Sequence, residues 1–261
     1  MELGYQDKVV GISGAASPYG IGFAIARRML QEGAGVFICD LRQDDVDEAV
    51  EILREFGTVR GYACDVSSEE AVDAMFACAM ADFGKVDVFI SNAGIYPTVP
   101  LMEMSVKLWD MVMGVNLRSV FLCAKAAYRC MKERGGVIIN AASFAALIGS
   151  AGSGAYAASK AAVHSLTKTL AAELAPFNIR VNDFIPGVIH TPMNDKILAA
   201  NGEKLAEQMA LGRLGKPDDV AKAVVFLASD AADYLTGTHI EISGGKLCVQ
   251  NPDYGWKNLA G

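Results

Sequence analysis

Seven short apolar runs, rich in β-branched residues, alternate with helical segments along almost the whole chain. This alternation constrains the fold more than any other feature. The runs are "KVVGIS" from 8, "GVFICD" from 35, "GYACDV" from 61, "VDVFIS" from 86, "GVIINAAS" from 136, "IRVNDFIP" from 179 and "THIEIS" from 238. Several are apolar almost throughout, as strands covered on both faces are. Between them, residues 21–32, 44–56 and 69–83 carry apolar positions at three- and four-residue spacing, longer helical segments span 104–132 and 155–175, and Pro217 followed by two acids opens another over 217–228. Strands alternating with helices predict an α/β chain: a Rossmann-type, doubly wound, seven-stranded parallel sheet with helices on both faces. The 261 residues show no repeat, linker or compositional break, so a single domain over 1–261 is expected. Two stretches depart from the rhythm. Residues 190–212 form an amphipathic insert after the sixth strand, where ligands bind in such sheets, and are a candidate substrate lid. Residues 246–261 form a tail beyond the last strand.

Composition removes several classes of function. A net charge of -7, from 23 basic and 30 acidic side chains with no basic run, argues against nucleic acid as a partner. The six cysteines form no CxxC pair and have no histidine at zinc spacing, so no metal is expected and they read as small buried residues in a reducing compartment. No apolar run reaches the length of about 18 residues that a membrane helix needs. The polar start "MELGYQDK" does not resemble a signal peptide. A cytoplasmic protein with no membrane partner is expected.

The stretch "VVGISGAASPYGIGFAIARRML", residues 9–30, passes from an apolar strand through glycines into an amphipathic helix. Gly14 permits a tight turn, while Gly20 and Gly22 let backbone amides approach a pyrophosphate at a helix N-terminus. Asp40 ends the second strand, 18 residues beyond Gly22. A carboxylate there accepts from adenosine ribose hydroxyls and repels a 2′-phosphate, which favours NAD over NADP. Leu41 follows it, and Arg42 is the nearest base. Tyr156 and Lys160 lie four residues apart on one helical face, with Ser143 thirteen residues earlier at the end of the fifth strand. A free phenol, with a pKa of about 10, is a poor base at neutral pH. A neighbouring ammonium is expected to lower it by about 1–3 units. With the serine hydroxyl holding a substrate oxygen, these groups can move a proton while a nicotinamide moves a hydride.

In these residues the chain resembles the short-chain dehydrogenase/reductase family, from Lys8 to about Lys246. The resemblance implies adenine contacts at Asp65 and Val66, and a turn supporting the cofactor ribose at Asn92, Ala93 and Gly94, where "SNAG" has Ser91 in place of the family's first Asn. It adds Asn116 to Ser143, Tyr156 and Lys160 as a catalytic tetrad, acting through a helix kink. It implies that Pro186, Gly187, Ile189 and Thr191 hold the nicotinamide carboxamide, and that Lys160 binds the nicotinamide ribose. Tyr156 is then the acid/base and Ser143 orients the carbonyl. The cradle departs from the family's run: Ser13 replaces Thr and the loop is two residues longer, with Pro18 and Tyr19 as the extras. Tyr19, Gly20, Ile21 and Gly22 are still expected to line the cofactor. A longer loop is typical of the family's enoyl-reductase branch, but that branch has its tyrosine seven residues before the lysine, where this chain has Ser153. The spacing therefore implies carbonyl chemistry. Family members pair through the helices at 104–132 and 155–175, implying a homotetramer.

Motif position places Tyr96, Ala145, Leu147, Ser153, Val188 and Met193 toward the substrate. With no Arg or Lys among them, the set leans to neutral polyols, sugars or cyclic alcohols and ketones. His164 reads as a packed helix residue, His190 as a pocket edge, and the methionines at 102, 104, 111 and 113 as packing. Tyr254 and Trp256 belong either to a cover over a neighbour's site or to a loose terminus. The expected function is NAD(H)-dependent interconversion of a secondary alcohol and a ketone. A 3-oxoacyl-thioester reductase is the alternative enzyme, disfavoured by Asp40, and a catalytically silent dinucleotide sensor or scaffold is the alternative class, disfavoured by the tetrad.

Overall fold

The seven runs become strands of one parallel sheet: β1 (Val9–Ser13), β2 (Gly35–Asp40), β3 (Val59–Ala63), β4 (Val88–Ser91), β5 (Gly136–Ala141), β6 (Ile179–Pro186) and β7 (His239–Ile242). The coordinates are a computed structural model that describes residues 3–246 and 248–259. Strand order is β3-β2-β1-β4-β5-β6-β7. Ile12 therefore pairs with Ile38 on one side and with Ile90 on the other. The order reverses between β1 and β4, and their carboxyl ends open the crevice where ligands bind in such sheets. β3 starts at Val59 and ends at Ala63, two residues before the start and three before the end of the run "GYACDV". Asp65 ends the extended stretch because its Oδ1 accepts from the backbone N–H and the hydroxyl of Ser67, at 2.9 and 2.7 Å, closing a turn.

The helices are α1 (Ile21–Gln31), α2 (Gln43–Leu53), α3 (Glu69–Phe83), α4 (Val106–Met113), α5 (Ser119–Met131), α6 (Gly154–Leu174), α7 (Asp195–Ala206), α8 (Pro217–Ala228) and α9 (Tyr254–Asn258). They bury two apolar layers against the sheet. One sets Val10, Ile12 and Phe184 against Ile25, Met29 and Val224 of α1 and α8. The other sets Phe37, Phe89 and Ile138 against Phe76 of α3 and Ala127 of α5. The predicted helix over 104–132 is interrupted by one π-turn, Gly114–Arg118, between α4 and α5. Serine side chains cap α3 and α4, whereas α1 begins at Gly20 with no side-chain cap and no acid in its first turn. Its first amides are thus left open at the crevice, as an anion-binding helix start requires.

The insert holds α7 behind a turn at Pro192–Asn194. The tail folds back on its own chain: the Trp256 indole N–H donates to the Ala210 carbonyl at 2.9 Å. Of the cysteines, Cys39, Cys64 and Cys123 are buried, but Cys78 and Cys248 are exposed and Cys130 is half-buried. The expectation of buried cysteines thus fails for the last three, which lie on outward helix faces and the tail. Among the described residues no helix is long and apolar enough to cross a membrane, and no His/Cys/Asp/Glu cluster is placed to hold a metal.

Candidate active site

The glycine loop is locked to the end of β4. Gly14 has φ +66°, and a Cβ there would lie 2.6 Å from the Ala93 Cα. Ser13 Oγ accepts from the backbone N–H groups of Asn92 and Ala93, at 3.1 and 3.2 Å, so serine keeps the hydroxyl function that the family's threonine would supply. The Asn92 amide donates to the Ser13 and Gly14 carbonyls, at 3.2 and 2.8 Å. A Cβ at Gly22 would come within 2.4 Å of the Gly14 carbonyl oxygen, so the first turn of α1 packs backbone to backbone on the loop. The two extra residues bulge outward. Tyr19 is 76 % exposed. Together with Phe23, Arg27, His190 and Lys216 it lines a cavity of about 420 Å³ between α1, the turn before α7 and the start of α8, to which Ser143, Tyr156 and Lys160 do not contribute. His190 thus edges a pocket, paired with Asp195 at 3.2 Å, but not the one that holds the tyrosine.

Asp40 sits where β2 meets the crevice. Its carboxylate accepts from the N–H groups of Ala16 and Leu41, at 3.1 and 2.9 Å, and so also braces the loop. Arg42 leans toward Asp44 and Asp45, at 3.9 and 3.5 Å. Asp65 is exposed and its Oδ1 is engaged by Ser67, while Val66 beside it is buried.

The tetrad positions converge. The π-turn carries Asn116, which is fully buried. Its Oδ1 accepts from the Ile95 N–H at 2.8 Å, and its Nδ2 donates to the Ile95 carbonyl and to Ser159 Oγ, at 3.0 and 3.1 Å. The widened turn lets this side chain fasten the 92–95 turn to α6. A Cβ built on Gly94 would lie 3.4 Å from Asn116 Oδ1 and 3.6 Å from Lys160 Nζ, so the ribose turn and the lysine meet. Ser143, 4 % exposed, follows β5, and its Oγ accepts from the Ala145 N–H at 3.2 Å. Lys160 is equally buried, and its ammonium donates to the Ala141 carbonyl at 2.6 Å.

The electrostatics correct one expectation. The Tyr156 phenol is raised, not lowered: burial pushes it up, the Ser143 hydroxyl opposes, and Tyr96 adds to the rise. The Lys160 ammonium lies 5.8 Å from the Tyr156 ring centroid, is engaged by Ala141, and is itself pushed down to about 8 by burial. Desolvation outweighs the pair interaction that the sequence suggested.

Around this centre, Tyr96 meets the Tyr156 ring edge-on at 4.7 Å and 88°. Ala145 is buried, Val188 is half-buried, and Leu147 and Met193 are exposed at the rim. Ser153 is an exception to the expected substrate set. It is 1 % exposed and its hydroxyl donates to Ser150 at 2.7 Å, because it stands at the start of α6 beneath the rim. Pro186 ends β6, and the Gly187 N–H donates to the Ile242 carbonyl at 3.0 Å. Ile189 is buried and pairs with Gly215, and Thr191 caps the turn before α7. His164 packs as expected and also holds Asp183, at 3.0 Å. Sequence reasoning missed Ser159, a small polar residue in an alanine-rich helix, and Lys246, assigned to the tail. Lys246 returns to stand over Phe144, its Nζ 5.4 Å from the ring centroid.

Comparison with known proteins agrees with this geometry. The profile of the family described as Enoyl-(Acyl carrier protein) reductase matches residues 14–246. The chain is 40 % identical over 242 residues to 3-oxoacyl-(acyl-carrier-protein) reductase FabG of Thermotoga maritima, covering 92 % of this chain and 98 % of that one. It is 38 % identical over 244 residues to cyclopentanol dehydrogenase of a Comamonas species, covering 92 % and 97 %. A crystal structure of a short-chain type dehydrogenase/reductase from Mycobacterium marinum superposes with a TM-score of 0.89 at 33 % identity, over 95 % of this chain and 98 % of the other. A doubly wound sheet, a glycine cradle and a serine–tyrosine–lysine group thus come together in a chain that belongs to the short-chain dehydrogenase/reductase family, whose members are oxidoreductases using nicotinamide dinucleotides.

Proposed function

We propose that this oxidoreductase of CH–OH groups is NAD(H)-dependent and interconverts a cyclic secondary alcohol and its ketone, with Tyr156 as acid/base. The observation that carries the reading is the convergence of three side chains: the Ser143 hydroxyl acts on the half-buried Tyr156 phenol, and the buried Lys160 ammonium meets Gly94. Gly14, Gly20 and the open amides at the start of α1 would hold the pyrophosphate. Asp40 would take the adenosine ribose, Val66 the adenine, Lys160 the nicotinamide ribose, and Pro186, Gly187, Ile189 and Thr191 the carboxamide. When bound, the nicotinamide supplies the hydride acceptor or donor. Ser143 Oγ holds the substrate oxygen. Burial keeps the Tyr156 phenol protonated at neutral pH, so in the reducing direction its Oη gives a proton to that oxygen. Oxidation draws on the phenolate and gains as pH rises.

Asp40 supports NAD over NADP, and Arg42 is drawn off by Asp44 and Asp45. The similarity to cyclopentanol dehydrogenase supports a ring substrate, and the apolar lining of Tyr96, Ala145 and Val188 fits one. The Thermotoga relative favours a second reading, a 3-oxoacyl-thioester reductase. A cytoplasmic single-domain homotetramer joined through 104–132 and 155–175 completes the proposal. The test is NADH formation from NAD⁺ with cyclic alcohols, polyols, aldoses and hydroxysteroids, with NADP⁺ in parallel. Tyr156→Phe should cost about 10²–10⁴ in turnover while dinucleotide binding persists. Full turnover by that variant refutes the assignment. NADPH-driven reduction of a 3-oxoacyl thioester in place of cycloalkanol oxidation moves the second reading ahead.

A further inference from the structure

Two glycines after β7 reverse the chain. Gly244 and Gly245 have φ +63° and +82°, a region open to glycine at little cost. The reversal is fastened to the segment behind α7: the Leu211 N–H donates to the Gly244 carbonyl at 3.0 Å, and a Cβ at Gly245 would press to 2.7 Å from that of Ala210. Lys246 is thereby turned back toward the segment that follows β5. Its ammonium stands 5.4 Å over the ring of Phe144, the residue next to Ser143, and donates to the Gln208 side-chain carbonyl at 2.8 Å. The side chain is half-buried, and burial pushes its ammonium below the ordinary range. Among the described residues no carboxylate pairs with it. Its protein partners are one neutral amide and one aromatic face, and the ammonium stays open to a further acceptor from the solvent side.

We infer that Lys246 is a specificity-determining residue that receives a carboxylate carried by the substrate ring, several bonds from the carbinol carbon. The geometry supplies a single ammonium with one donor already spent on Gln208, which suits one carboxylate oxygen. The ammonium stands over Phe144 and not against Ser143, so the anion is separated from the reacting oxygen. A ring spans that separation with its carbinol at Ser143 and Tyr156. This narrows the cyclic-alcohol reading on which it rests, and it supplies the cation that the six residues expected to face the substrate lack.

The test compares 3-hydroxycyclopentanecarboxylate with its carboxamide, which keeps shape and removes charge. The wild type should use the carboxylate at least about tenfold better in kcat/KM. Lys246→Gln should abolish that preference by raising KM for the carboxylate with little change in kcat, and leave the carboxamide unchanged. Lys246→Glu should invert it, favouring the 3-aminomethyl analogue. A purely structural lysine, tethering Gln208, would shift both substrates alike. Equal use of carboxylate and carboxamide by the wild type, or a preference that survives in Lys246→Gln, overturns the inference. If no cyclopentanol turns over, the ring reading fails. The lysine assignment is then decided by melting of the NADH-loaded protein. A carboxylate-specific rise in Tm that vanishes in Lys246→Gln upholds it, and its absence refutes it.

Discussion

Replacing Lys160 by methionine should make the ligand-free protein more stable while abolishing turnover. The reason lies in its burial. The ammonium is 4 % exposed and its pKa is pushed from the ordinary 10.5 down to about 8 by desolvation. At about 1.36 kcal/mol per pH unit, carrying that charge in the folded state costs at most roughly 3 kcal/mol. Methionine fills similar volume without the charge, but the Ala141 carbonyl loses its donor at 2.6 Å. That loss returns about 1–2 kcal/mol. A net gain of about 1–2 kcal/mol remains, or about 2–8 °C in Tm for a chain of this length. The pH dependence has a definite sign. Between pH 8 and 10.5 the unfolded chain holds more protons at this lysine than the folded one, so wild-type stability climbs with pH across that window. The advantage of Lys160→Met should be full below pH 8, shrink through the window and reverse before pH 10.5, where the neutral amine still serves the Ala141 carbonyl. Calorimetric unfolding of both ligand-free proteins from pH 6.5 to 10.5 measures the difference. A variant less stable than wild type at pH 7, or a gap that does not change with pH, would show that the ammonium is compensated and refute the reasoning.

Two further substitutions test the cradle. Gly22→Ala puts a Cβ 2.4 Å from the Gly14 carbonyl oxygen, a backbone collision that no rotamer relieves. NADH binding, followed by fluorescence titration, should weaken at least about tenfold, by more than 1.4 kcal/mol. Gly202→Ala in α7 meets nothing within 4 Å and should instead stabilise by about 0.5–1 kcal/mol. Unimpaired binding by Gly22→Ala would remove the cradle from the cofactor's path. Asp40→Ser should raise the NADP⁺-to-NAD⁺ ratio of kcat/KM about tenfold or more, because the charge that opposes a 2′-phosphate is gone. An unchanged ratio would leave Asp40 as a brace for the Ala16 amide alone.

The sheet was legible because strands covered on both faces must be apolar throughout, and all seven runs begin within two residues of the observed strands at 9, 35, 59, 88, 136, 179 and 239. β3 slipped because Cys64 and Val66 continue the apolar pattern past the turn that Asp65 closes. The Tyr156–Lys160 pairing was legible from helical spacing, but the sign of its electrostatics was not. That sign depends on how much water each group loses, and burial is a property of the whole fold. Ser159 and Lys246 were hidden for different reasons. A serine among alanines carries no pattern of its own. Lys246 lies 102 residues from Phe144 in the chain, and two glycines after β7 bring it back.

The hydrogen bonds give a physical account of why these residue types stand at these positions apart from any contact with a ligand. Ser13, Asp40, Asn92 and Asn116 each hold backbone groups of another segment: Ser13 and Asn92 tie β1 to the end of β4, Asp40 ties the end of β2 to the loop, and Asn116 ties the ribose turn to α6. Three crossovers therefore meet through side chains that a ligand-contact list would assign to the cofactor or to proton transfer. An alanine at Asn116 would leave the Ile95 N–H and carbonyl and the Ser159 hydroxyl without this partner in a buried place, loosening the turn that carries Gly94 against Lys160. The site is preorganised because the groups that would touch the ligand are also the groups that join the strands at its floor, and weakening one is expected to cost binding and stability together.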